Sequence, residues 1–209
     1  MGFVYATATI DPSKHDLVRD WLPSRSWAGG ATKIKKVGEY RFDDPEGEVG
    51  VETIVWRTPD DVLLQVPLTY RAAPLAGAEQ HLICTMEHSA LGTRYVYDGC
   101  ADPVWAATVA TAILTGGTQA TMQVEHDGEL VDVPARLPVR GSGSAGATVP
   151  SITSVDSATD EVSDRGAVTT VVAGPLTISL ARVVGTPLPG SAVLTGSVAD
   201  RDLGVLVAL

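Results

Sequence analysis

Residues 21–30 read Trp-Leu-Pro-Ser-Arg-Ser-Trp-Ala-Gly-Gly, a tryptophan on each side of a proline with a double glycine behind them. This segment constrains the fold more than any other. Pro23 cannot continue a helix that precedes it, and Gly29 and Gly30 open backbone angles that other residues avoid. Each Trp is a large apolar body with one donor that wants a partner when buried. The expectation is a helix that ends here, with Trp21 and Trp27 both buried where it meets a sheet.

The flanking sequence agrees. Asp11-Pro12-Ser13 reads as a helix start, with Asp11 as cap and Pro12 in the first turn. Leu17, Val18, Trp21 and Leu22 follow at helical spacing. From Lys33 the period changes. Ile34, Val37, Tyr40 and Phe42 lead to the turn Asp43-Asp44-Pro45-Glu46-Gly47. Val49, Val51, Ile54 and Trp56 come next, then a turn at Pro59-Asp60-Asp61, then Leu63, Val66, Leu68 and Tyr70. Residues 71–79 read as a loop, with strands near 81–86 and 93–98 beyond it. That is a meander of about five strands. Asp102-Pro103 opens a second helix through Val104, Trp105, Thr108, Val109, Ala112 and Ile113, which stops at Gly116-Gly117. Helix, meander and helix are buried most economically as an α+β fold over residues 1–117, a curved antiparallel sheet with one face covered by helices.

The second half has a different texture. Residues 118–140 suggest a hairpin extension turning at Asp127-Gly128. Residues 141–166 are Gly, Ser, Ala and Thr with a few acids, the composition of a flexible linker or loop. Residues 167–209 hold short Val- and Leu-rich runs that read as a small all-β C-terminal segment.

A net charge of −10 over 209 residues argues against nucleic acid or an anionic membrane surface as partner. No apolar run approaches the ~18 residues of a spanning helix, and the N-terminus lacks the basic start of a signal peptide. Cys84 and Cys100 lie outside any CxxC and read as reduced thiols of a cytoplasmic protein. His15, His81, His88 and His126 have no partners at zinc-ligand spacing, so no metal is expected. There is no P-loop, no kinase catalytic loop or Asp-Phe-Gly, and no GxSxG, so no cofactor is expected. The candidate chemistry is a cluster. Tyr70 and Arg71 end one strand, Glu87 and His88 end another, and Glu52 can point into the same concavity. Arg71 could hold an anion with its fork of donors, and His88 could move a proton. The same residues also read as a salt-bridged network pinning the 72–79 loop, and the two readings stay open.

Several segments together carry a family resemblance: Trp21-Leu22-Pro23 with Trp27, Phe42-Asp43-Asp44-Pro45-Glu46-Gly47-Glu48-Val49-Gly50, and Val66-Pro67-Leu68-Thr69-Tyr70-Arg71. Ala73-Pro74-Leu75, Gly77-Ala78-Glu79, Glu87-His88, Leu91-Gly92, Tyr97-Asp98-Gly99 and Asp102-Pro103 extend it. The chain resembles the maltokinase N-terminal cap, above all stand-alone actinobacterial cap-like proteins often labelled 1,4-α-glucan branching protein. Arg25, Ser26 and Ala28 depart from the cap signature, which has Gln, Arg and an aromatic there. The resemblance implies a cystatin-like helix on a curved sheet and a place in α-glucan, maltose or trehalose metabolism. It implies no catalytic residue, because phosphoryl transfer in maltokinases lies beyond the cap. A branching enzyme's barrel of ~250 residues does not fit this length. The expected function is a non-catalytic module that binds a protein partner or a carbohydrate. The alternatives are a small enzyme acting on a phosphorylated sugar and a structural module forming homo-oligomers.

Overall fold

A computed structural model describes all residues except 1, 4–7, 127–128 and 200. The chain runs β1 (Gly2–Phe3), β2 (Ile10–Asp11), α1 (Lys14–Trp21), β3 (Lys35–Phe42), β4 (Gly50–Arg57), β5 (Leu63–Arg71), β6 (Leu82–His88), β7 (Gly92–Asp98), α2 (Pro103–Thr115), β8 (Met122–His126), β9 (Glu129–Val133), β10 (Val139–Gly141), β11 (Ser157–Ser163), β12 (Gly166–Ala173), β13 (Leu176–Ala181), β14 (Val193–Val198) and β15 (Arg201–Ala208). The protein is mostly β with two helices. A curled six-stranded antiparallel half-barrel is followed by a second six-stranded antiparallel sheet.

Helix α1 begins after Ser13, not at Asp11. The Ser13 hydroxyl accepts the Asp16 N–H at 3.1 Å, which satisfies a first-turn donor, while Asp11 pairs with Glu87 in β2. Pro23 stands in the 3-10 turn Leu22–Ser24 that ends the helix. Trp27 is buried, but Trp21 is only half-buried. Trp21 stacks edge-on to Trp27 with centroids 5.7 Å apart and takes the Arg25 guanidinium over its ring at 5.3 Å. Helix α2 is capped as its sequence requires. Asp102 Oδ1 accepts the Val104 N–H at 2.9 Å, and Gly116 closes the other end in the left-handed conformation.

The half-barrel has the order β2-β6-β7-β5-β4-β3, so it is not a simple meander. The connection after β5 passes over one strand position, and the chain returns through β7 to fill the gap. Strand neighbours lie only ~4.8 Å apart, and residues 72–81 are long enough to make that step. Both faces of the sheet are covered. Leu17 and Val18 of α1, with Leu22 just after it, pack with Ile54, Leu64, Val66, Met86 and Val96 on one face. Val51, Val55 and Leu63 pack on the other face with Trp105, Val109 and Ile113 of α2. The two helices therefore sit on opposite faces, contrary to the one-face expectation. The near-continuous burial of β4 and β5 records this arrangement, since strands covered on both sides do not alternate.

The second sheet has the order β10-β14-β15-β13-β12-β11. Residues 141–166 are not simply a linker. Strand β11 pairs with β12 along its whole length, and at this sheet edge one row of ladder bonds orders a strand with little apolar surface of its own. The glycines before it cap α2. The Gly143 and Ser144 N–H groups bond the carbonyls of Ile113 (2.8 Å) and Leu114 (3.1 Å), which have no partner within the helix. A Cβ on Gly141 or Gly143 would collide with the backbone of Ala112 or Leu114. Strands β8 and β9 form the expected antiparallel hairpin, and its turn at 127–128 lies outside the described residues.

The two sheets share one core. Leu137, Ile178, Leu180 and Leu206 join α2 and the half-barrel in a single apolar cluster. Gln65 of β5 donates its side-chain amide to the carbonyls of Ala181 (3.0 Å) and Leu206 (3.1 Å). Just after β13, Arg182 is 1% exposed. It pairs with Asp98 at 2.5 Å, donates to Thr169 at 2.6 Å and lies 4.7 Å over the Trp27 ring. Packing is thus continuous across residue 117, from the half-barrel into the second sheet.

Candidate functional site

Five consecutive strands present residues at one end of the α1 face: His88 of β6, Arg94 of β7, Tyr70 of β5, Gly50 of β4 and Arg41 of β3. Lys14, the first residue of α1, and the 43–49 loop close a cleft of about 480 Å³ around them. The loop is a firm wall. Asp44 folds it by accepting the N–H groups of Glu46, Glu48 and Val49 at 3.1, 3.0 and 2.9 Å.

Beneath the cleft lies Glu52, 3% exposed. Its carboxylate receives Lys14 Nζ at 2.9 Å on one oxygen and 2.7 Å on the other. The Tyr70 hydroxyl donates to it at 2.8 Å. Burial alone would raise the Glu52 pKa, but the charges of Lys14 and Arg41 and the hydrogen bonds from Lys14 and Tyr70 outweigh it and hold the group at about 2. Burial and the adjacent carboxylate push the Tyr70 hydroxyl well above its ordinary range. Lys14 Nζ also stands 5.5 Å from the Tyr70 ring centroid.

Arg41 reaches the cleft because it alternates with Tyr40 and Phe42, which face α2. It pairs across the sheet with Glu52 and acts on it through charge alone. Among the described residues its guanidinium makes no hydrogen bond or close ion pair. Gly50 opposes Tyr70 in the sheet. A Cβ there would sit 3.2 Å from Tyr70 Cδ2 and 3.7 Å from Arg41 Nη2, so ring and guanidinium both border the space that glycine leaves open.

Of the five residues expected to converge, Glu52, Tyr70 and His88 share this face. His88 Nδ1 accepts the Ala90 N–H at 3.2 Å, which anchors the β6–β7 turn. Arg71 and Glu87 lie on the opposite face. Neighbours in a strand point to opposite sides, so Tyr70 and Arg71 cannot share a site on one face, nor can Glu87 and His88. Strands β5 and β6 are also not adjacent, because β7 runs between them. Arg71 makes a two-bond ion pair with Asp102, the fully buried cap of α2, at 2.6 and 2.7 Å. Glu87 accepts the Thr93 hydroxyl at 2.7 Å. The sequence reading missed Lys14, Arg41, Gly50 and Arg94. Arg41 carried a signal, a cation between two aromatic residues of one strand.

Both cysteines are free, Cys100 buried and Cys84 half-buried, and burial raises both thiol pKa values. Among the described residues no three His, Cys, Asp or Glu side chains gather as a metal site, and no helix is long and apolar enough to cross a membrane.

The charged, aromatic-floored cleft thus lies at the strand ends of a helix-backed half-barrel. Residues 21–102 match the family model of the maltokinase N-terminal cap domain. The match runs from the last residue of α1 to the cap of α2. It holds every cleft residue named above except Lys14, and the second sheet lies outside it. No curated protein matches the chain.

Proposed function

We propose that the protein is a non-catalytic, cap-type binding module of maltose, trehalose or α-glucan metabolism that seats a carbohydrate in the cleft over Tyr70. The cystatin-like form implied by the family suits this role, with α1 flanking the cleft and α2 bracing the curled sheet behind it. One observation carries the reading. Two ionisable groups at the cleft floor are pushed away from neutral pH, Glu52 downward as an anion and Tyr70 upward as a neutral phenol. General acid–base catalysis needs a group poised near the working pH. These two serve instead as a rigid polar floor beneath an aromatic ring. A half-buried ring beside fixed polar groups suits the mixed apolar and polar faces of a sugar.

Calorimetric titration of the full chain with maltose, trehalose and maltotriose tests the reading. A saturable heat with a dissociation constant below ~1 mM is expected for at least one sugar. Tyr70→Leu should abolish it while the circular dichroism spectrum stays unchanged. Absence of heat with all three sugars would exclude the carbohydrate reading.

A further inference from the structure

Resting on the carbohydrate reading, we propose that the ligand of the cleft is a sugar bearing a phosphate group, and that Arg41 is the residue that holds the phosphate. The argument is one of donors and acceptors. A neutral sugar presents many hydroxyl donors and is best met by free carboxylates. At the floor the acceptors are already used. Glu52 takes Lys14 on both oxygens and Tyr70 on one of them, and Asp44 is committed to three backbone N–H groups. Asp43 and Glu48 also line the loop wall, but both are exposed, where solvent and salt screen their charge. At the floor the cations are in excess. Lys14, Arg41 and Glu52 together leave one positive charge there, while the wall sets Arg94 against Asp43, Asp44 and Glu48.

Arg41 is the cation without a bonded partner among the described residues of the cleft floor. A half-buried guanidinium gives up part of its hydration and normally regains it from a carboxylate or phosphate. Its planar fork matches two phosphate oxygens, a geometry that Lys14 cannot offer. The Tyr70 ring and that fork both border the space left open above Gly50. The two neighbours present a flat apolar platform and an anion clamp, which together fit a phosphorylated ring and not a bare anion.

The experiment is titration calorimetry of the full chain with glucose 1-phosphate, glucose, maltose and inorganic phosphate. Glucose 1-phosphate should bind at least about tenfold more tightly than glucose or phosphate alone. Arg41→Gln should remove that advantage, so that glucose 1-phosphate falls to the affinity of glucose. Arg41→Lys keeps the charge and loses the fork, so it should recover only part of the advantage. Raising the salt concentration of the wild type should weaken glucose 1-phosphate and spare maltose, a readout that requires no variant to fold. Equal affinity for the phosphorylated and neutral sugars, or an unaffected Arg41→Gln, overturns this inference and leaves the carbohydrate reading standing. Inorganic phosphate binding as tightly as glucose 1-phosphate, or absence of heat with all four probes, overturns this inference. Either result overturns the carbohydrate reading as well when maltose, trehalose and maltotriose are all silent.

Discussion

Replacing Glu52 with Gln tests whether the cleft floor is an electrostatic keystone or a passive surface. The carboxyl is 3% exposed and its pKa is lowered from the ordinary 4.5 to about 2. That displacement, at ~1.4 kcal/mol for each factor of ten, corresponds to about 3 kcal/mol of folding stability. The sign follows from linkage. A folded-state pKa below the unfolded one means the contribution is complete above pH ~5 and is lost as pH falls through about 2. Glu52→Gln should therefore be less stable than wild type by about 3 kcal/mol at pH 7, a fall of roughly 6–12 °C in Tm for a chain of this size. The gap should narrow as pH falls below 4. Urea unfolding of both proteins at pH 7, 5 and 3 measures this directly. A gap that is absent at pH 7, or that stays constant down to pH 3, would refute the reasoning.

Two further substitutions separate scaffold from site. Arg182→Met strands the buried Asp98 carboxylate and should cost about 3–5 kcal/mol; adding Asp98→Asn should recover part of the loss, and a single variant as resistant to urea as wild type contradicts the pairing. Arg71→Ala leaves the Asp102 carboxylate buried without its partner. Because Arg71 is itself partly exposed, the expected loss is smaller, about 2 kcal/mol, with ligand affinity at the cleft untouched; lost affinity at an unchanged Tm would return Arg71 to the site.

Much of the local structure was legible because its causes are local. Asp102, Pro103 and Gly116 mark the ends of α2 through backbone groups within a few residues of themselves. The Asp43–Gly47 turn and the runs that became β3, β4, β5, β12, β13, β14 and β15 follow from side-chain period and turn chemistry. The segregation of the proposed cluster onto two faces was legible in principle as well. Tyr70-Arg71 and Glu87-His88 are adjacent pairs on strands, and alternation alone separates their members.

Other features depend on partners distant in the chain. Arg182 follows a strand like any surface arginine until Asp98, 84 residues away, is brought against it. The 141–146 run has the composition of a linker, yet its glycines are selected by contact with the end of α2, a packing requirement that composition does not encode. Arg41, Gly50, Tyr70 and Lys14 come from four elements, and only the curl of the sheet brings them to one cleft. By itself the sequence determined where most elements begin, end and turn, because backbone hydrogen bonds and side-chain period act over a few residues. The tertiary structure alone decided which charges are paired, which face each helix covers and where the cleft lies, because burial and Coulomb interactions depend on distance in space and not on distance along the chain.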